Sequence, residues 1–64
     1  MSIIVNGQVQ PTVSNLDSLL EQLGYQNGVV ATALNGRFVP VTERKNIGLV
    51  DGDRVEIVAP MQGG

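Results

Sequence analysis

Few side chains in this 64-residue chain are able to do chemistry. There is no histidine and no cysteine, which removes the commonest base at neutral pH and the soft metal ligands. Zinc, haem, iron–sulfur and thiol-nucleophile sites are not expected, and no disulfide can form. The acids are Asp17, Glu21, Glu43, Asp51, Asp53 and Glu56. Asp51 and Asp53 flank Gly52, which suits a tight turn where aspartate bonds nearby backbone. A calcium loop would need more oxygen ligands at fixed spacing. Glu43-Arg44-Lys45 reads as a solvated charged loop. The Asn6-Gly7 and Asn35-Gly36 pairs are turn dipeptides, without the spacing of a phosphate loop.

One reactive group remains. The chain ends Pro60-Met61-Gln62-Gly63-Gly64, and the terminal carboxylate of Gly64 is ionised at neutral pH without help from a base. It can attack the α-phosphorus of ATP to give an acyl adenylate. A sulfur donor could then displace AMP and leave a thiocarboxylate, or an amine or thiol of another protein could take the acyl group. A partner would have to supply Mg2+, phosphate binding and positioning. Gly63 and Gly64 lack a Cβ, so the backbone could pass a narrow channel. Pro60 ends strand pairing and stiffens the exit. Extended, the five residues reach up to about 17 Å. Met61, Gln62 and Gly63 are the positions at which a partner would recognise this tail.

Composition narrows the remaining classes. The net charge is −2, from four basic and six acidic residues. Arg37, Arg44, Lys45 and Arg54 are too few and too scattered for the concentrated positive surface that nucleic acid requires. The longest apolar runs, such as Ile3-Ile4-Val5, fall far short of the roughly 20 residues that span a bilayer. The N-terminus has no basic region followed by an apolar stretch, so it does not read as a signal peptide. The expectation is a cytoplasmic protein, free of membrane and nucleic acid and monomeric when free. Its one domain covers residues 1–59, followed by a flexible C-terminal tail at 60–64.

The elements that would position the tail are marked by turns and periodicity. Asn6-Gly7 predicts a type I′ hairpin between strands at about 2–6 and 8–13. Pro11 makes the second an edge strand. Leu16, Leu19, Leu20 and Leu23 fall on one helical face. Ser14 or Asn15 can cap that helix, Asp17 suits its first turn, and Gly24 suits the position after its last. Asn27-Gly28 marks a loop. Asn35-Gly36 joins strands at about 29–34 and 37–41. Residues 42–50 read as a crossing loop with room for one helical turn, and Ile47, Leu49 or Val50 plugs the core. Asp51-Gly52-Asp53 turns the chain into a last strand at 55–59. Two hairpins, one helix and a last strand that follows a long crossing describe an α+β fold. It is a ubiquitin-like β-grasp: a mixed sheet of about five strands, one main helix on one face and the last strand in the middle.

Strand faces alternate. With Ile3, Val5, Thr32, Leu34, Val39, Val55 and Ile57 pointing to the helix, Ile4, Ala33, Phe38 and Val58 point away. They make an apolar set on the helix-free face, which is expected to meet a partner.

Several stretches together resemble the ThiS family of sulfur carrier proteins of thiamine biosynthesis. "ALNGRFVP" supplies Ala33, Asn35, Val39 and Pro40. "DGDRVEI" supplies Asp51, Gly52 and Asp53, and the final pair is Gly63 and Gly64. The resemblance covers the full chain. It implies that an E1-like enzyme of the ThiF type adenylates Gly64 using ATP and Mg2+, and that the carrier holds no cofactor stably. It also implies a sulfur donor such as a cysteine desulfurase relay, and a thiazole synthase of the ThiG type as acceptor. The carrier itself would then be a co-substrate, not an enzyme. Related readings are a MoaD-like carrier for molybdopterin or another sulfur pathway, and a ubiquitin-like modifier joined to lysines. A plain binding module is the remaining alternative. Where family members often carry a basic residue after "VP", this chain has Val41.

Overall fold

Each Asn-Gly pair puts two consecutive residues in the left-handed region, the geometry of a two-residue hairpin turn. Asn6 and Gly7 have φ of 49° and 82°, and Asn35 and Gly36 have φ of 50° and 84°. In the computed structural model, which describes residues 1–25 and 29–59, the first turn joins β1 (Ser2–Val5) to β2 (Gln8–Pro11). The second joins β3 (Ala31–Leu34) to β4 (Arg37–Val39). Both pairs are antiparallel, with Val5 opposite Gln8 and Leu34 opposite Arg37. The Asn27-Gly28 loop lies outside the described residues.

Between the hairpins runs α1 (Leu16–Gln22). Of the two candidate caps, Asn15 takes the role: its side chain accepts from the Ser18 N–H at 2.7 Å. At the other end Gly24 adopts a φ of 86°. The Gly24 N–H donates to the Glu21 carbonyl at 3.1 Å and the Tyr25 N–H to the Leu20 carbonyl at 2.8 Å, the paired bonds of a Schellman ending. Leu16, Leu19 and Leu20 are buried as the periodicity requires. Leu23 is not. It is 37% exposed, because the helix stops at Gln22 and Leu23 caps it at the rim of the core, near the polar Gln8 and Gln10 of β2.

The chain from Pro40 to Asp53 differs from its sequence reading in detail. β4 ends at Val39, not Val41, and a 3₁₀ segment occupies Val41–Asn46. Pro40 has no N–H to extend the ladder, and its carbonyl accepts from the Glu43 N–H at 2.9 Å to start the 3₁₀ turn. Of the three candidate plugs, Leu49 is buried and Ile47 half-buried, whereas Val50 is exposed. Backbone bonds from Leu16 to Ile47 and from Leu49 to Ser14 tie this crossing to the helix entry.

The last strand, β5 (Arg54–Val58), then enters the middle of the sheet. The order is β2-β1-β5-β3-β4, with β5 parallel to β1 and antiparallel to β3. The edge strands are β2, where Pro11 sits, and β4. The helix and one face of the sheet enclose Ile3, Val5, Leu16, Leu19, Leu20, Val30, Val39, Leu49, Val55 and Ile57. This is the ubiquitin-like β-grasp, a mixed five-stranded sheet with one main helix.

Candidate functional site

The site is built around the exit of β5. In sequence, the two asparagines of the hairpins serve their turns. In the folded chain each also grips β5. The Ile57 N–H donates to Asn6 Oδ1 at 2.8 Å, and Asn6 Nδ2 donates to the Ile57 carbonyl at 3.1 Å. The side-chain amide thereby continues the ladder past the point where β1 has turned away. On the other side, the Arg54 N–H donates to Asn35 Oδ1 at 2.9 Å, and Asn35 Nδ2 donates to Asp53 Oδ1 at 3.1 Å. The strand is held at its first residue and again one residue before its last. These clips were missed in sequence because their partners are 51 and 19 positions away. A turn signal is local and says nothing of them.

The aspartates of the entry turn are used in the same way. Asp51 Oδ1 accepts from the Ser2 N–H at 2.7 Å, which fixes the start of β1 to the start of β5. Asp53 Oδ2 accepts from the Val50 N–H at 2.9 Å across Gly52, whose φ is 90°. Asp53 closes the turn, as the spacing suggested, whereas the Asp51 carboxylate reaches out of it to β1.

Arg44 requires a correction. Placed by its neighbours in a solvated charged loop, it is only 8% exposed. Its Nε donates to Thr32 Oγ1 at 3.1 Å and its Nη2 to the Val30 carbonyl at 2.7 Å. The Thr32 hydroxyl in turn donates to the Val39 carbonyl at 2.9 Å. Residues three apart lie on one side of a 3₁₀ helix, so Arg44 shares the side of Ile47, which packs against the core. That spacing is the one sequence signal that could have revealed it. Glu43 and Lys45 remain exposed.

Ile4, Ala33, Phe38 and Val58 all lie on the face of the sheet opposite α1. Phe38 is 70% exposed and Val58 63% exposed, while Ile4 and Ala33 are half-buried. Ala33 pairs with Phe38 across β3 and β4, and Val58 pairs with Ala31. Ile4 stands apart, beside Val9 on one side and Arg54 on the other. Glu56 sits opposite Ala33. The apolar set is thus divided by two charged residues of β5. The tail positions Met61, Gln62, Gly63 and Gly64 lie outside the described residues. The last residue described is Ala59, immediately after β5. Among the described residues no helix is long and apolar enough to cross a membrane.

Against known proteins, residues 3–64 match the model of the ThiS family. Among solved structures the chain is similar to the crystal structure of a thiamine biosynthesis protein (ThiS) from Geobacter metallireducens, at 31% identity and a TM-score of 0.81. That likeness covers 100% of both chains. No curated protein matches.

Proposed function

The chain belongs to the ThiS family, and from that membership we propose that it is a sulfur carrier of thiamine biosynthesis whose working group is the carboxylate of Gly64. Residues 1–59 form the body and 60–64 the tail that enters other proteins. A carboxylate oxygen of Gly64 attacks the α-phosphorus of ATP in an E1-like enzyme of the ThiF type. Pyrophosphate leaves with Mg2+ balancing its charge. A persulfide sulfur, supplied by a cysteine desulfurase relay or a similar donor, attacks the acyl carbon and AMP leaves. A second thiol then cleaves the S–S bond of this acyl disulfide, forming a disulfide with the donor cysteine and freeing the thiocarboxylate. The resulting thiocarboxylate passes its sulfur to a thiazole synthase of the ThiG type. The chain is a co-substrate in this sequence and its partners are the enzymes, working in the cytoplasm.

What supports the reading is the way β5 is held. Ladders on both sides and the Asn6 amide fix the chain up to Ile57. A short tail that starts three residues later leaves from a defined point. A carrier needs that arrangement, because a partner can bind the rigid body and so know where the carboxylate will arrive. The outward set of Ile4, Ala33, Phe38 and Val58 lies on this strand, on β1 and β3 beside it and on β4 beyond β3, and serves as the surface by which partners hold the body. Met61, Gln62 and Gly63 provide the recognised backbone before the reactive end.

Intact mass spectrometry of the chain, expressed with its sulfur pathway, tests this directly. The expected species is heavier than the unmodified chain by the difference between one sulfur and one oxygen atom, and the gain maps to Gly64. Covalent adducts on lysines of other proteins would instead assign the chain as a modifier. An unchanged mass in the presence of the E1-like enzyme, ATP and a sulfur donor would reject the carrier reading.

A further inference from the structure

A docking face that relied on apolar contact alone would have no use for charges at its centre, yet this one has two. Arg54 and Glu56 are exposed and alternate with the buried Val55 and Ile57, so both point to the helix-free side. They stand about 6.6 Å apart along the strand. Arg54 lies beside Ile4, and Glu56 beside Ala33, which in turn neighbours Phe38. Neither side chain takes part in an ion pair or a side-chain hydrogen bond among the described residues. Covering them with an apolar partner would strip their hydration and return nothing. A partner that covers this face must therefore bring an opposite charge to each.

The two charges also have a direction. Along β5 the cation comes first and the anion stands nearer the C-terminus. A partner with an acidic group for Arg54 and a basic group for Glu56 can dock in one sense along the strand. Turned end for end, it would set like charges against each other at both positions, which disfavours the wrong arrangement as well as favouring the right one. The sense of β5 is the sense in which the tail leaves.

We infer that Arg54 and Glu56 fix the orientation in which the activating enzyme docks on the sheet, through an acidic group facing Arg54 and a basic group facing Glu56 within an apolar surface. This rests on the reading that the helix-free face meets the E1-like enzyme. Orientation is the property an activating enzyme most needs to check, since a body bound in reverse would deliver the carboxylate away from the nucleotide.

The test measures pyrophosphate release by the E1-like enzyme against carrier concentration, at low and high salt. The carriers are full-length wild type, R54E, E56R, R54E/E56R and F38D, each first confirmed as folded by circular dichroism. Each single reversal is expected to raise KM about tenfold with kcat nearly unchanged, an effect that shrinks at high salt. The double reversal inverts the pair and should be at least as poor as either single. If F38D raises KM and the reversals leave it unchanged, the face is correct and the orienting role is overturned. If F38D also leaves KM unchanged, the reading of the face falls with it. The pair is self-complementary as well, since a second copy turned about an axis across the strands would set its Glu56 against Arg54. Sedimentation showing a wild-type dimer that R54E dissociates and R54E/E56R restores would assign the charges to self-association and overturn the inference.

Discussion

Asn6 does two things that a single substitution can separate. Its backbone supplies a positive φ for the turn, and its amide both donates to and accepts from Ile57. Glycine tolerates the same φ without strain, so Asn6→Gly keeps the turn and removes the clip. Two lost hydrogen bonds and a more flexible unfolded chain together predict a loss of about 2 kcal/mol. Urea unfolding followed by circular dichroism would measure it as a lower midpoint with an unchanged slope. A loss near zero would mean that water replaces the amide at no cost, and that β5 is held by its ladders alone. The turn was legible in the sequence because Asn-Gly is a local code, and the clip was not, because it depends on a strand that arrives much later. Arg44 shows the same limit. Its charged neighbours Glu43 and Lys45 describe the loop correctly for themselves. Nothing local indicates that the Val30 carbonyl and the Thr32 hydroxyl wait for its guanidinium.

At the scale of elements, α1 is seven residues long. A helix of two turns does not persist by propensity, and its stability must come from packing and from its ends. Leu16, Leu19 and Leu20 provide the packing, and Asn15 and Gly24 fix the ends by different means. Asn15→Ala removes the cap to Ser18 and is expected to cost about 1 kcal/mol. Gly24→Ala forces a Cβ into a φ of 86° with no atom nearby to clash, so its cost of about 1 kcal/mol is backbone strain alone. The two sites lie at opposite ends of the helix and share no partner, so the double variant should lose the sum, measured by thermal or urea unfolding. A loss well below the sum would show that one cap already frays when the other is removed. Periodicity revealed the buried stripe but overextended it to Leu23, and residue type placed Gly24 at one end while leaving Ser14 and Asn15 both open at the other. Spacing alone cannot show where the sheet ceases to offer apolar cover. The ends of β2 and β4 were overextended for a similar reason. Strand pattern continues through Val41, while pairing stops where Pro40 has no donor to give.

For the whole molecule, the deciding feature is that the last strand in sequence is the central strand in space. Order and turns conveyed this arrangement without any contact being known: two hairpins need a common neighbour, and a long crossing delivers β5 between them. A chain of this size has a total stability of roughly 3–10 kcal/mol, so losing the central strand leaves no sheet. Without β5, the β1–β2 and β3–β4 hairpins share no ladder, and Val55 and Ile57 leave the core. Truncation should therefore divide the chain sharply. A chain ending at Ala59 keeps β5 and every clip to it, and is expected to melt within a few degrees of the full-length protein while accepting no adenylate. A chain ending at Asp53 is expected to be unfolded by circular dichroism and to show no cooperative melting transition. The separation is the one a carrier requires, because the residues used in chemistry must leave the fold to enter another protein. A large drop in melting temperature for the chain ending at Ala59 would show that residues 60–64 help to hold the body together. That result would contradict a tail free to deliver its carboxylate elsewhere.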